Sequence, residues 1–165
     1  MRDEVPEKEL QELPEPELIR RGTTAWKLGN IDVAAKMLFA ACDRLSHQEG
    51  KRVPAAALSL YAVCLARQGK LKEAVETCRK AISLEPYSAE AHLNMTRIYM
   101  VGNSRKKAVE ALDKGLALSP RHRELLALRN ELGSREAPVL SFLSRDNPLN
   151  IALGKARATL KKKPV

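Results

Sequence analysis

The apolar positions of this chain recur with helical spacing, and the pattern comes in pairs. In PAAALSLYAVCLA, residues 54–66, Leu58, Tyr61, Ala62 and Leu65 stand at i, i+3, i+4 and i+7, on one face of a helix. Gly69 follows, where a C-terminal glycine ends such a helix. Leu71, Ala74, Val75, Cys78, Ala81 and Ile82 then build a second stripe of the same period. Pro86 closes it, because proline cannot continue a helix and biases Glu85 out of the helical region. The spacing predicts two amphipathic helices joined by a tight turn. Residues 54–66 are also the longest apolar run, too short for a bilayer and interrupted by Ser59, which predicts a buried helix.

The pair repeats. Superposing residues 55–88 on 89–122 gives nine identities in 34 positions, against roughly two expected from average residue usage. Among them are Lys72/Lys106, Ala74/Ala108, Glu76/Glu110, Lys80/Lys114 and Pro86/Pro120. A period of 34 is the length of a helix–turn–helix unit, which cannot bury its stripe alone and must stack on neighbours.

These residues resemble the tetratricopeptide repeat family, whose pattern asks for a small residue at positions 8, 20 and 27 and proline at 32. Ala62, Ala74, Ala81 and Pro86 fill those positions, then Thr96, Ala108, Gly115 and Pro120. An earlier unit fits from Glu15, with Gly22, Ala34 and Ala41. It departs at position 7, Arg21 for the usual leucine, and at position 32, Ser46 for the usual proline. Extra residues around HQEGKRV separate it from the next unit, so either the first interface is looser or its second helix is longer. The resemblance implies an all-α solenoid with repeats over about 15–48, 55–88 and 89–122, a capping helix at 123–133, and helix breaks near Gly29, Gly69, Gly102, Pro86 and Pro120. Residues 1–14 are expected to form an acidic, flexible arm, and residues 136–165 a basic tail.

Composition agrees with a folded helical chain: 44% hydrophobic, 30% charged and only 4% aromatic residues. The start, MRDEVPEKE, lacks the apolar core of a signal peptide, and Cys42, Cys64 and Cys78 form no CxxC pair. An odd cysteine count without a secretion signal leads to the expectation of a reducing, cytoplasmic location.

Charge is uneven along the chain. Residues 1–17 hold seven acids against two bases, whereas the whole chain carries +9. The acidic stretch is either a solvated arm or a cover over a basic surface. In the tail, Asn147 before Pro148 is a good helix start, and Leu149, Leu153, Ala156 and Leu160 follow as a stripe. The expectation is a helix over 148–160 whose leucines dock on the end of the solenoid, since an exposed stripe favours aggregation. The other reading is a partner-binding or surface-binding helix. Val139, Leu140, Phe142 and Leu143 form a shorter apolar cluster before it.

No motif points to catalysis, and no cofactor or metal is implied. His47, His92 and His122 lack metal-ligand spacing, and the cysteines lie among apolar neighbours as small hydrophobes. There is no glycine-rich phosphate loop.

The family resemblance supplies the functional expectation. Its first helices line a concave groove, which here gives Trp26, Lys27, Val63, Arg67, Leu93, Asn94, Arg97 and Met100. That set is an apolar floor with three cations, suited to a peptide segment with apolar anchors and acidic flanks. The alternatives are that Trp26 packs between neighbouring helices and that the arginines are solvated. Chaperone-docking members hold a C-terminal carboxylate with two lysines or arginines and two asparagines. The clamp positions here are Ile19, Thr23, Leu60, Glu90 and Asn94, or Ser59, Val63, Asn94, Glu124 and Leu128 one unit along, and neither register supplies the cations. The leading function is therefore a non-enzymatic protein-interaction adaptor, with homo-oligomerisation left open. A secretion-type chaperone holding an unfolded export substrate is the alternative. RNA binding through the basic face ranks last, because six aromatic residues in all give few stacking platforms.

Overall fold

The computed structural model describes residues 5–133 and 147–161, the side chains of residues 155 and 157–161 excepted. Contacts divide the chain into two units, Met1–Leu132 and Gly133–Val165. The first unit contains α1 (Glu7–Glu12), α2 (Glu15–Lys27), α3 (Ile31–His47), α4 (Ala55–Arg67), α5 (Leu71–Leu84), α6 (Ala89–Val101), α7 (Arg105–Leu118) and α8 (Arg123–Leu132). Helices pack as the pairs α2/α3, α4/α5 and α6/α7, with α4 also against α6 and α8 against α7. Among the described residues there is no strand, and no helix is long and apolar enough to cross a membrane.

One turn recurs inside each pair. Gly29 and Gly69 adopt φ of +85° and +86°, and Asn103 takes the same role at +53°. The third left-handed residue is thus Asn103 and not the neighbouring Gly102; asparagine is the residue that best tolerates this region after glycine. Each turn closes with a six-residue hydrogen bond: Asn30 N–H to Ala25 O (2.9 Å), Lys70 N–H to Leu65 O (2.9 Å) and Ser104 N–H to Tyr99 O (2.8 Å).

The small residues of the repeat explain how closely the helices approach. Ala34, Ala41, Ala62, Ala74, Ala81, Thr96 and Ala108 are fully buried, and Gly22 and Gly115 are buried with them. A Cβ on Gly22 would lie 2.9 Å from Leu38 Cγ, and one on Gly115 would lie 3.0 Å from both Leu125 methyls. Thr96, the only hydroxyl in the set, donates to the His92 carbonyl at 2.9 Å and so buries no unmet donor.

The core runs through the junctions between pairs. One cluster joins Ala34, Leu38 and Cys42 of α3 to Leu58, Leu60 and Cys64 of α4. A second joins Val63 and Leu65 to Met95 and Ile98, and a third joins Leu93 and Leu112 to Leu125 and Leu132 of α8. Each pair thereby buries its stripe against the next, as a stacked array requires. The first junction differs as its sequence implied. Without proline at Ser46, α3 runs 17 residues against 14 in α5 and α7, and α2 meets α4 over fewer positions than α4 meets α6. The chain re-enters at α4, whose Ala55 N–H donates to Glu85 Oε1 at 3.1 Å.

The flexible arm expected at residues 1–14 is, from residue 5 onward, a docked segment. Val5, Leu10 and Leu13 pack on Leu18, Met37 and Ala41, which would otherwise face water at the end of the array. Arg44 donates to the Leu13 carbonyl at 2.8 Å and to the Leu10 carbonyl, closing the end of α1. Arg21 pairs with Glu9 and, at 2.7 Å, with Glu17. This accounts for an arginine where the repeat usually has leucine: the position faces an acidic capping helix instead of another pair.

In the second unit, α9 (Pro148–Lys161) starts as its sequence suggests, with Leu149 N–H donating to Asn147 Oδ1 at 3.0 Å. Leu149 is 60% and Leu153 39% exposed, while the Leu160 side chain and the cluster at 139–143 lie outside the described residues.

Overpacking the small positions tests the register. Ala74→Leu and Ala108→Leu should each lower the unfolding free energy by about 1–3 kcal/mol in urea titrations. Gly22→Val should act in the same direction, because its Cβ meets Leu38. The exposed control Ala117→Leu should change stability by less than about 0.5 kcal/mol.

Candidate functional site

The first helix of each pair contributes to one polar network. On α6, Glu90, Asn94 and Arg97 stand at i, i+4 and i+7 and share a face. The Arg97 guanidinium lies 4.7 Å from the ring centroid of Trp26 on α2. Arg97 Nη1 donates to Asn94 Oδ1 at 2.7 Å, and Nη2 pairs with Glu124 on α8. Glu90 stands 4.0 Å from Arg97 and 3.4 Å from His122 Nε2. Asn94 Nδ2 donates to Ser59 Oγ on α4 at 3.0 Å, and the Ser59 hydroxyl donates in turn to the Ala56 carbonyl at 3.1 Å. The network therefore links α2, α4, α6 and α8 and identifies their common inner face.

Burial makes this network consequential. Ser59 and Asn94 are fully buried, and the Arg97 side chain is only 17% exposed. Among the described residues every buried side-chain polar atom has a partner. Removing one member would strand the others at about 1–3 kcal/mol for each buried unmet group. Arginine suits the centre because its fork of donors serves Asn94, Glu90 and Glu124 while its guanidinium lies over the Trp26 ring.

The expected groove residues divide into three sets. Val63, Leu93 and Asn94 are not an open floor: Val63 belongs to the cluster with Met95 and Ile98, Leu93 to the cluster with Leu112 and Leu125, and Asn94 lies within the network. Trp26 is half-buried against the first core cluster and carries Arg97 on its ring, so it both packs and faces the network. Met100 is half-buried at the edge of the Leu93 cluster. Lys27 and Arg67 are exposed. Arg97 is the cation whose role changes most, since its charge is already met by Glu90 and Glu124.

Glu90 and Glu124 are the members that sequence reasoning missed; it registered them only as positions lacking a clamp cation, whereas Ser59 falls among the groove positions that the family resemblance implies. A signal was present. Glu90 and Arg97 are seven apart on one helix, and Glu124 follows Glu90 by one repeat of 34. The reach of Arg97 to Trp26 of α2 and Glu124 of α8 had no counterpart in spacing.

The remaining reactive groups are buried. Burial pushes the thiols of Cys42 and Cys78 up to about 12 and that of Cys64 up to about 11. All three are free, and Cys78 Sγ sits 3.5 Å from the Ala91 carbonyl. His92 is held below 6.5, first by burial and then by nearby Lys114, partly offset by a hydrogen bond to the Pro86 backbone. Among the described residues no three His, Cys, Asp or Glu side chains are grouped to hold a metal ion.

Two tetratricopeptide repeat family models match the sequence, over residues 19–90 and 65–132. The fold is similar to the NMR structure of the first such domain of human RPAP3, at TM-score 0.59 and 17% identity, covering 72% of this chain and 88% of that one. The first TPR of Spaghetti (RPAP3), solved with the HSP90 peptide SRMEEVD, matches at TM-score 0.56 and 17% identity, over 72% of this chain and 89% of that one. YrrB, described as a TPR protein with an unusual peptide-binding site, matches at TM-score 0.57 and 25% identity, over 72% and 58% of the two chains. No match is found among curated protein sequences.

Two measurements check the electrostatics. Folded protein should leave Cys42, Cys64 and Cys78 unreacted with a thiol reagent at pH 8, and all three should react once urea unfolds it. His92, whose folded value is depressed, contributes stability that is complete above pH 6.5 and is lost as pH falls through the lowered value. Denaturation midpoints should therefore drop on the acid side of pH 6.5, and His92→Phe should flatten that part of the profile.

Proposed function

Because the chain belongs to the tetratricopeptide repeat family, whose repeats are protein-interaction modules, we propose that it is a non-enzymatic adaptor binding a partner protein segment on its inner face. The observation that carries this reading is the network centred on Arg97, which joins the facing surfaces of α2, α4, α6 and α8. A surface held by satisfied polar contacts is pre-organised, and pre-organisation lowers the entropy cost of capturing a flexible segment.

Trp26 and Met100 offer the apolar contacts in this reading, with Val63 and Leu93 supporting them from beneath. Lys27 and Arg67 are the free cations that favour acidic flanks. Arg97 contributes by exchange: an incoming carboxylate takes the place of Glu124, whose side chain is 58% exposed and so loses little on returning to water. The peptide-bound RPAP3 relative supports the general class of ligand. The clamp positions Ile19, Thr23, Leu60, Glu90 and Asn94 supply no cation for a C-terminal carboxylate, which argues for an internal partner segment instead.

The single tryptophan makes the test direct. Arg97→Ala should change the emission of Trp26 in the free protein, because the stacked cation is lost. Affinity capture from the native host should recover a partner with the wild type and lose it with Arg67→Glu/Arg97→Glu, helix content by circular dichroism being unchanged. A partner retained by that double variant and by Met100→Asp would put the binding surface elsewhere.

A further inference from the structure

The second helices of successive pairs leave a repeated cleft between them, and the two copies differ in chemistry. The cleft between α3 and α5, about 250 Å³, is lined by Phe39, Asp43, Glu73 and Lys80 over Leu58 and Tyr61. Its counterpart between α5 and α7, about 390 Å³, has Arg79, Lys107, Lys114 and Glu110 over His92 and Met95. Arg79 occupies the repeat position of Phe39, and Lys107 that of Glu73. One lysine between two acids in the first cleft thus becomes three cations against one acid in the second. A further cavity of about 310 Å³ continues the second cleft past Arg79, Tyr99 and Lys107 and adds Lys72 and Glu76.

These cations are left unused by the fold. Arg20, Arg21, Arg97 and Arg129 all have carboxylate partners, and Arg44 and Arg105 serve backbone carbonyls. Among the described residues Lys72, Arg79, Lys107 and Lys114 have none; Lys107 lies 5.9 Å from the Tyr99 ring. Four cations against Glu76 and Glu110 around an apolar floor leave an excess of like charge, and the fold gains nothing from that excess that the first cleft, with one lysine and two acids, lacks. Tyr99 follows Arg97 by two residues on α6, about 200° round the helix, so the cleft is distinct from the inner face.

We infer that the α5/α7 cleft is a second interaction surface, taking an acidic segment of a partner protein that inserts an apolar side chain between its carboxylates. The four cations supply the charge complement, and Ile82, Met95 and Tyr99 supply the apolar seat. A bare phosphate would leave that seat empty. A nucleic acid would need a stacking ring for each base, and the cleft offers Tyr99 alone, with Lys107 already over it.

The test uses the full chain and a fluorescein-labelled peptide of Asp and Glu residues around one central leucine. Anisotropy should rise saturably, and affinity should fall as salt is added. Arg79→Glu/Lys107→Glu should weaken binding by about tenfold or more, and Arg79→Gln/Lys107→Gln by an intermediate factor. The charge control Lys36→Glu should change it by less than about twofold. Bound peptide should shield Lys107 of the wild type from acetic anhydride, and Trp26 emission should stay constant, separating this site from the inner face. The inference is overturned if the double reversal binds as the wild type does, or if Trp26 emission tracks the titration. It is overturned equally if inorganic phosphate displaces the peptide at matched ionic strength, or if an oligo-uridine of the same charge binds more tightly.

Discussion

Close approach of helices at small residues is the constraint on which the rest of the first unit depends. Gly22, Ala34 and Ala41 in the first pair, and their equivalents in the next two, are all buried. Where the residue is glycine, a Cβ would land 2.9–3.0 Å from a leucine methine or methyl carbon, closer than van der Waals contact allows. Packing at that spacing brings each stripe into contact with its partner helix and with the following pair. The apolar clusters consequently cross the junctions, and no pair owns a complete core.

An array built this way has two ends that must be covered, and the chain covers them differently. At the C-terminal end α8 continues the pattern with Leu125 and Leu132. At the N-terminal end a six-residue helix lays Leu10 and Leu13 on the first pair, held by Arg21 and Arg44. A helix so short is not stable by itself, so its order comes from this burial and from Arg44 capping its carbonyls. Arg21 departs from the repeat pattern because the end of the array is a different environment from its middle.

The same geometry concentrates polar groups on the inner face. First helices lie side by side, so one long side chain can touch several of them. From α6, Arg97 reaches Trp26 of α2 and Glu124 of α8, while Asn94 accepts from it and is held in turn by Ser59 of α4. On the face of the second helices the repeat makes equivalent clefts, and single substitutions at two repeat positions, Phe39 to Arg79 and Glu73 to Lys107, reverse their charge. A shared backbone plan thus carries surfaces of unlike chemistry.

The sequence by itself determined the helices, their pairing and the residues of closest contact. Periodicity fixes which side chains share a helix face, and the 34-residue repeat fixes which positions are equivalent; both are local properties of the chain. Asn147 at the start of α9 and the longer α3 after the loss of proline at Ser46 were legible for the same reason. Only the tertiary structure decided which inner-face residues meet water. Val63 and Leu93 sit at positions that the family resemblance assigns to a groove, yet neighbouring helices bury them. Arg97 reads as a free cation until Glu124, 27 residues away, reaches it. The acidic stretch at the N-terminus looks solvated until Leu10 and Leu13 find an uncovered apolar end to pack against. Each of these outcomes rests on an encounter between distant segments, and helical period carries no information about which side chains arrive from elsewhere in the chain.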